Sequence, residues 1–283
     1  MRCQELSYRG IIGVNRIRKI FEHLEDDYEA FGRPETCKPN AQATKAVVSA
    51  ASKCRGNMQA IEIMEEVLQK LQKRFEETGE LDYRPLDPMY TLLFSAYSKV
   101  NAENAQRCSH MVDEVLALIA KNEMTPSIFA TTAAIRALVN DNTDRSLDKA
   151  EKMMRNLESR DAIVYQSLIK GYCRNGNPEK ADQMLQELEN AFGSDVMSMA
   201  VCLDAWSKAT DGYDTAIERA ECLLDRIIYK YRMGLVGPDE KHVDSWIFES
   251  LARLWLHSRK PKAGDEIIAL IGKMQDINND VPA

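Results

Sequence analysis

The stretch "AIVYQSLIKGYCRNGNPEKADQMLQELENAFGSD" (162–195) decides how the whole chain is read. Its first part, "VYQSLIKGYCR" (164–174), carries apolar residues at three-, four- and seven-residue intervals, the mark of a helix with one buried face. A second helix opens after a short polar turn. Asn177 suits the cap, Pro178 the first helical position and Glu179 the positive end of the helix dipole, so 178–192 reads as helical. Two antiparallel helices of this size cannot bury their apolar faces alone. The stretch therefore predicts neighbours built like itself.

Those neighbours are present. "KGYCR" (170–174) has relatives in "SAASK" (49–53), "SAYSK" (95–99) and "DAWSK" (204–208), each closing an apolar run with a small residue and then a basic one. With Ala137 in "AAIRALVN", the small residues Ala50, Ala96, Ala137, Gly171 and Ala205 stand 46, 41, 34 and 34 positions apart. Each ends an amphipathic helix, over 43–53, 89–99, 130–140, 164–174 and 198–208. A second helix follows each: 58–77 and 215–233 are long ones, and Ser146 begins another before "LDKAEKMMRNLE". These long second helices account for the stretched spacing. Turns fall at 37–40, 84–88, 124–127 and 236–239.

The predicted fold is all-α, a solenoid of six or seven stacked helical hairpins wound into a superhelix. Residues 1–40 are expected to form a partial or degenerate N-terminal repeat, with 13–27 as a second helix whose partner is missing or degenerate. Five units follow, over 41–86, 87–127, 128–161, 162–195 and 196–239. Residues 240–283 form a capping pair in which Pro261 opens the last helix. No Ser- or Pro-rich linker divides the chain.

Bulk composition agrees. In 283 residues there are only 13 Gly and 9 Pro, little turn material for a β fold. The formal net charge is −7, so nucleic acid is not indicated by the sum of charges and the location of the charges must decide. Seven scattered Cys have no metal-binding or redox spacing and read as reduced thiols of an intracellular compartment. No apolar run reaches the length of a membrane span, so no membrane insertion is expected. Arg2, Arg9, Arg16, Arg18 and Lys19 against the single acid Glu5 admit either an organelle transit peptide or the helix of the incomplete repeat. The four His form no metal-protease motif, the zinc-deaminase pattern is missing, and no Gly-rich phosphate loop or nucleophile elbow occurs. "EDDYE" (25–29) is contiguous and reads as a solvated helix end. Neither catalysis nor a cofactor or metal is expected.

Unit 162–195 resembles a pentatricopeptide repeat, through "Y-x-x-L-I-x-G-Y-C-R-x-G" in its first helix and "A-x-x-M-L-x-x-L" in its second. Units 128–161 and 196–239 follow the plan, and 41–86 and 87–127 share it in their first helices. No tetratricopeptide signature appears, although the right-handed α-α architecture is of that type. The resemblance implies a P-type array without a catalytic C-terminal domain. It further implies a monomer that binds single-stranded RNA at one base per repeat, in a mitochondrion or plastid, with other RNA-processing proteins as candidate partners. A cytoplasmic location stays open. It also implies two base-facing residues per unit: Lys45 and Leu86, Thr91 and Ser127, Thr132 and Asp161, Gln166 and Asp195, and Ala200 with either Asp239 or Asp244. An ionised Asp only accepts hydrogen bonds, so it favours guanine or uracil, and the Thr132/Asp161 combination points to guanine in this family. Each Asp has a second reading, as the helix cap of the next unit.

The closing bases have two readings as well. Lys53, Lys99, Arg174 and Lys208 suit an RNA backbone followed at one phosphate per repeat, and they equally suit the negative ends of their helices. Asn140 and His257 stand at the corresponding places in other units. Tyr97, Tyr172 and Trp206 read as inter-helix core rather than as base-stacking platforms. The competing function is a scaffold that holds proteins in a helical groove.

Overall fold

A computed structural model describes residues 38–280 except Arg55, Ser194, Ala209, Asp211 and 237–242, with scattered positions from 13 to 32. The helices are α1 Ala41–Ala51, α2 Met58–Thr78, α3 Asp87–Tyr97, α4 Ala102–Lys121, α5 Ile128–Asp141 and α6 Asp144–Arg155. They continue as α7 Ala162–Arg174, α8 Pro178–Phe192, α9 Val196–Trp206, α10 Tyr213–Arg232, α11 Ser245–Ser258 and α12 Ala263–Asp280. No strand occurs among the described residues, and the protein is an all-α helical-repeat array.

The chain forms two compact units, Met1–Ser159 and Arg160–Ala283. In the first, α1/α2, α3/α4 and α5/α6 are hairpins, and α3 packs against both α1 and α5. In the second, α7/α8, α9/α10 and α11/α12 pair in the same way, with α9 against both α7 and α11. First helices thus stack on first helices, which is how the hairpins bury the faces they cannot cover alone.

Local chemistry sets the helix starts. Asn177 accepts the Lys180 N–H at 3.1 Å ahead of Pro178 and Glu179, and α8 has the bounds expected of it. The structure corrects one start. Ser146 does not open its helix: Thr143 is the cap, accepting the Ser146 N–H at 3.3 Å, and α6 begins at Asp144. Ser146 is instead buried, with its hydroxyl 3.0 Å from that of Ser109 on α4. Pro261 lies in the turn before α12 and not inside the helix.

Tyr97, Tyr172 and Trp206 are core residues, 0%, 2% and 5% exposed. The Tyr97 hydroxyl donates to Glu65 Oε1 at 2.9 Å, and Arg107 pairs with the other oxygen at 2.7 Å. Burial, reinforced by that carboxylate, pushes the Tyr97 phenol well above its usual pKa.

The segment 1–40, expected to be a partial or degenerate repeat, lies largely outside the described residues, as do Asp239, most of the 236–239 turn, Cys3 and Cys37. Described positions between 13 and 30 are helical. Phe21 there is buried beneath Lys70 of α2, and the Tyr28 hydroxyl lies 3.1 Å from that of Tyr83.

Turns between helices of neighbouring hairpins also touch. Gly56, at φ +68°, lies against the Lys99 carbonyl so closely that a Cβ would sit 2.8 Å from its oxygen. Asn140 donates its side-chain N–H to the Val100 carbonyl at 3.1 Å. These contacts hold the ends of α1, α3 and α5 together, and with them Lys53 and Lys99.

Candidate nucleic-acid interface

Each first helix presents two ends, and the residues singled out by sequence divide between them. At the start of α9, Asp195 caps the helix through Oδ2, which accepts the Ser198 N–H at 3.2 Å and the Ser198 hydroxyl. Gln166, on the neighbouring α7, donates Nε2–H to that same oxygen at 3.1 Å. The two residues assigned to unit 162–195 are therefore in contact. Asp195 Oδ1 accepts no hydrogen bond from the described residues, so the carboxylate caps with one oxygen and keeps an acceptor in reserve. Asp161 behaves alike, with Oδ1 on the Val164 N–H at 2.9 Å and Oδ2 without a protein donor among the described residues. Capping and base recognition are thus compatible readings of the same side chain.

Ala200 stands apart at 2% exposure. Packed between helices, it offers a base neither a polar atom nor a surface. Asp244 precedes α11 and accepts from Trp246 Nε1 at 3.2 Å.

In the N-terminal unit the assigned positions differ more. Lys45 and Leu86 are half-buried, and Leu86 has no polar side chain; its backbone N–H donates to Met89 Sδ at 3.3 Å. Thr132 is half-buried, and its hydroxyl makes no hydrogen bond among the described residues. Thr91 donates to the Asp87 carbonyl at 3.3 Å. Ser127 caps α5 on the Ala130 N–H at 3.2 Å and donates its hydroxyl to Asp87 Oδ2 at 2.6 Å. Sequence reading missed Asp87, because "RPLDP" shows only a turn signal.

Also missed were apolar side chains standing in solvent beside the caps. Phe129, Ile163 and Met197 each follow the capping Ser127, Asp161 or Asp195 by two residues and are 75%, 52% and 45% exposed. The detectable signal was an apolar residue at the same offset in three units, on the helix face that core periodicity leaves outside.

At the other end, Lys53, Lys99, Arg174 and Lys208 are all exposed. Lys208 pairs with Asp204 at 2.6 Å, one helical turn back, and Lys99 Nζ donates to Ser95 Oγ at 3.0 Å. Charge is partitioned between the two helices of a hairpin. The stretches 41–53 and 162–174 contain Lys45, Lys53, Lys170 and Arg174 and no acid. Their partner α8 carries Glu179, Asp182, Glu187 and Glu189 against Lys180 alone, and α2 is likewise rich in Glu. In these two hairpins the acids thus fall on the second helices, whereas α6 and α10 carry at least as many bases as acids.

The capping role of Asp195 can be tested on its own. Asp195→Ala should destabilise the protein by about 1 kcal/mol, the usual cost of a lost cap, whereas Asp195→Asn, a good cap, should stay within a few tenths. Thermal melts of both variants check this, and equal losses would show that the charge itself supports the fold.

Residues 163–191, nearly all of α7 and α8, match the family model for the PPR repeat. That repeat typifies helical-repeat RNA-binding proteins, which are generally non-catalytic. No curated protein matches the chain. No described helix is long and apolar enough to cross a membrane.

Proposed function

We propose that this array, which carries a PPR repeat, binds single-stranded RNA in a base-directed manner and acts by occupying an organelle transcript. Occupancy protects an RNA end, remodels a hairpin or recruits a processing partner, and it needs no catalytic group. The observation that carries this reading is the Gln166–Asp195 contact at 3.1 Å. It lies where the repeat signature is strongest, and it orients a carboxylate whose second oxygen is open. An open acceptor suits a base with an N–H on its pairing edge, guanine or uracil. The exposed Ile163 and Met197 supply apolar surface next to that polar pair, against which a base can rest. Phe129 does the same beside Ser127. The basic residues Lys53, Lys99, Arg174 and Lys208 are assigned to phosphates; Arg174 also lies in the last turn of α7, while the three lysines stand two residues beyond the ends of α1, α3 and α9.

Selection from a randomised single-stranded RNA pool with the full chain, at about 0.1 M salt, tests the proposal. The expected result is a short enriched motif containing a position selective for guanine or uracil, lost in Asp195→Ala. A folded protein that enriches nothing would sink the RNA reading and favour the protein-binding scaffold.

A further inference from the structure

Asp87 is the first residue of unit 87–127, a position filled in the other units by apolar Ala41, Ile128, Ala162 and Val196. Its carboxylate is turned onto Ser127: Oδ1 accepts the backbone N–H at 3.0 Å and Oδ2 the hydroxyl at 2.6 Å. The short charge-assisted bond holds the single hydroxyl proton of Ser127. Because that hydroxyl also accepts the Ala130 N–H at 3.2 Å, only a lone pair of Ser127 remains. One turn along the same helix face, Thr91 sends its own proton to the Asp87 carbonyl at 3.3 Å. Both base-facing hydroxyls of this unit are therefore oriented as acceptors, beside a negative charge.

We propose that Asp87 is a third specificity-determining residue of unit 87–127 and that it makes this unit select guanine. The inference rests on the RNA reading above. An acceptor-only site matches an edge with adjacent donors, and guanine provides two in N1–H and N2–H2. The uracil N3–H lies between two carbonyl acceptors, while adenine and cytosine set a ring-nitrogen acceptor beside their amino group, so each turns a lone pair toward the site. Unit 162–195 is built differently: the last residue is met by a donor, Gln166 Nε2, and its first position is Ala162.

The test compares randomised-pool selections by the full chain as wild type, Asp87→Asn and Ser127→Ala, with a thermal melt of each. The wild-type motif should contain a guanine position that Asp87→Asn relaxes by roughly ten-fold, as for loss of one good base contact, with the other positions unchanged. Ser127→Ala removes one acceptor but keeps the carboxylate, so it should relax the guanine position less than Asp87→Asn does. An unchanged guanine position in Asp87→Asn overturns the inference. So does a uniform loss over all positions with a lowered melting temperature, which would make Asp87 structural. Equal relaxation in both variants would assign selectivity to Ser127 instead. Failure of the RNA reading itself is distinguishable, because the wild-type pool would then enrich nothing.

Discussion

Replacing Lys53, Lys99 and Arg174 together by Glu is expected to weaken single-stranded RNA binding by on the order of a hundred-fold at moderate salt. Each phosphate contact on a single strand contributes about 0.7 to the slope of log affinity against log salt, so three lost contacts should flatten that slope by about 2. Lys208→Ala should do much less, since Asp204 at 2.6 Å already shares that charge. Titrating a labelled oligonucleotide between about 50 and 200 mM salt, the range over which such contacts show most, distinguishes the two roles of these bases. If these bases serve only their helix ends, the triple variant loses about 0.3–1 kcal/mol of stability per site and binds RNA as before. An unchanged salt slope in a folded triple variant would therefore remove the phosphate assignment.

Gly56→Ala is expected to be the most damaging small substitution in the N-terminal unit. The residue holds φ +68°, and its new Cβ would meet the Lys99 carbonyl oxygen at 2.8 Å. Left-handed strain and a backbone clash together should cost about 2–4 kcal/mol. At roughly 2–4 °C per kcal/mol for a domain of this size, that lowers the melting temperature by about 5–15 °C. Gly176→Ala is the control, because Gly176 shares the left-handed conformation, at φ +75°, but has nothing within 4 Å of its absent Cβ. Similar melting temperatures for the two variants would show that the Gly56–Lys99 approach carries no weight. The same variant should also weaken RNA binding through displacement of Lys99.

The hairpin plan was legible because its signals are local. Apolar spacing and the Asn177–Pro178–Glu179 start act within one or two turns, and α8 follows them to its ends. Ser146 misled for an equally local reason: two hydroxyl residues compete for one helix start, and Thr143 wins by reaching the Ser146 N–H from extended backbone. Tyr97, Tyr172 and Trp206 could be placed in the core from their spacing beside small residues. The i,i+4 relation of Asp204 and Lys208 is equally readable from sequence, and it qualifies the role of Lys208 before any RNA is present.

The candidate surface divides differently. The pentatricopeptide resemblance, carried along the repeat register, names Gln166 and Asp195, but 29 residues separate them, and only the packing of α7 against α9 brings Nε2 to Oδ2. Ala200 obeys the same register and is buried, because packing decides how much of a helix face reaches solvent. Asp87 and Ser127 lie 40 residues apart, and neither has a local signal of the other. By itself, then, the sequence determined that the chain is helical, where most hairpins start and which positions line one face, since all of these depend on neighbours within a turn or two. Tertiary structure alone decided which polar atoms meet, which lone pairs remain open and how close two turns approach, since such contacts arise only when one hairpin is stacked on the next.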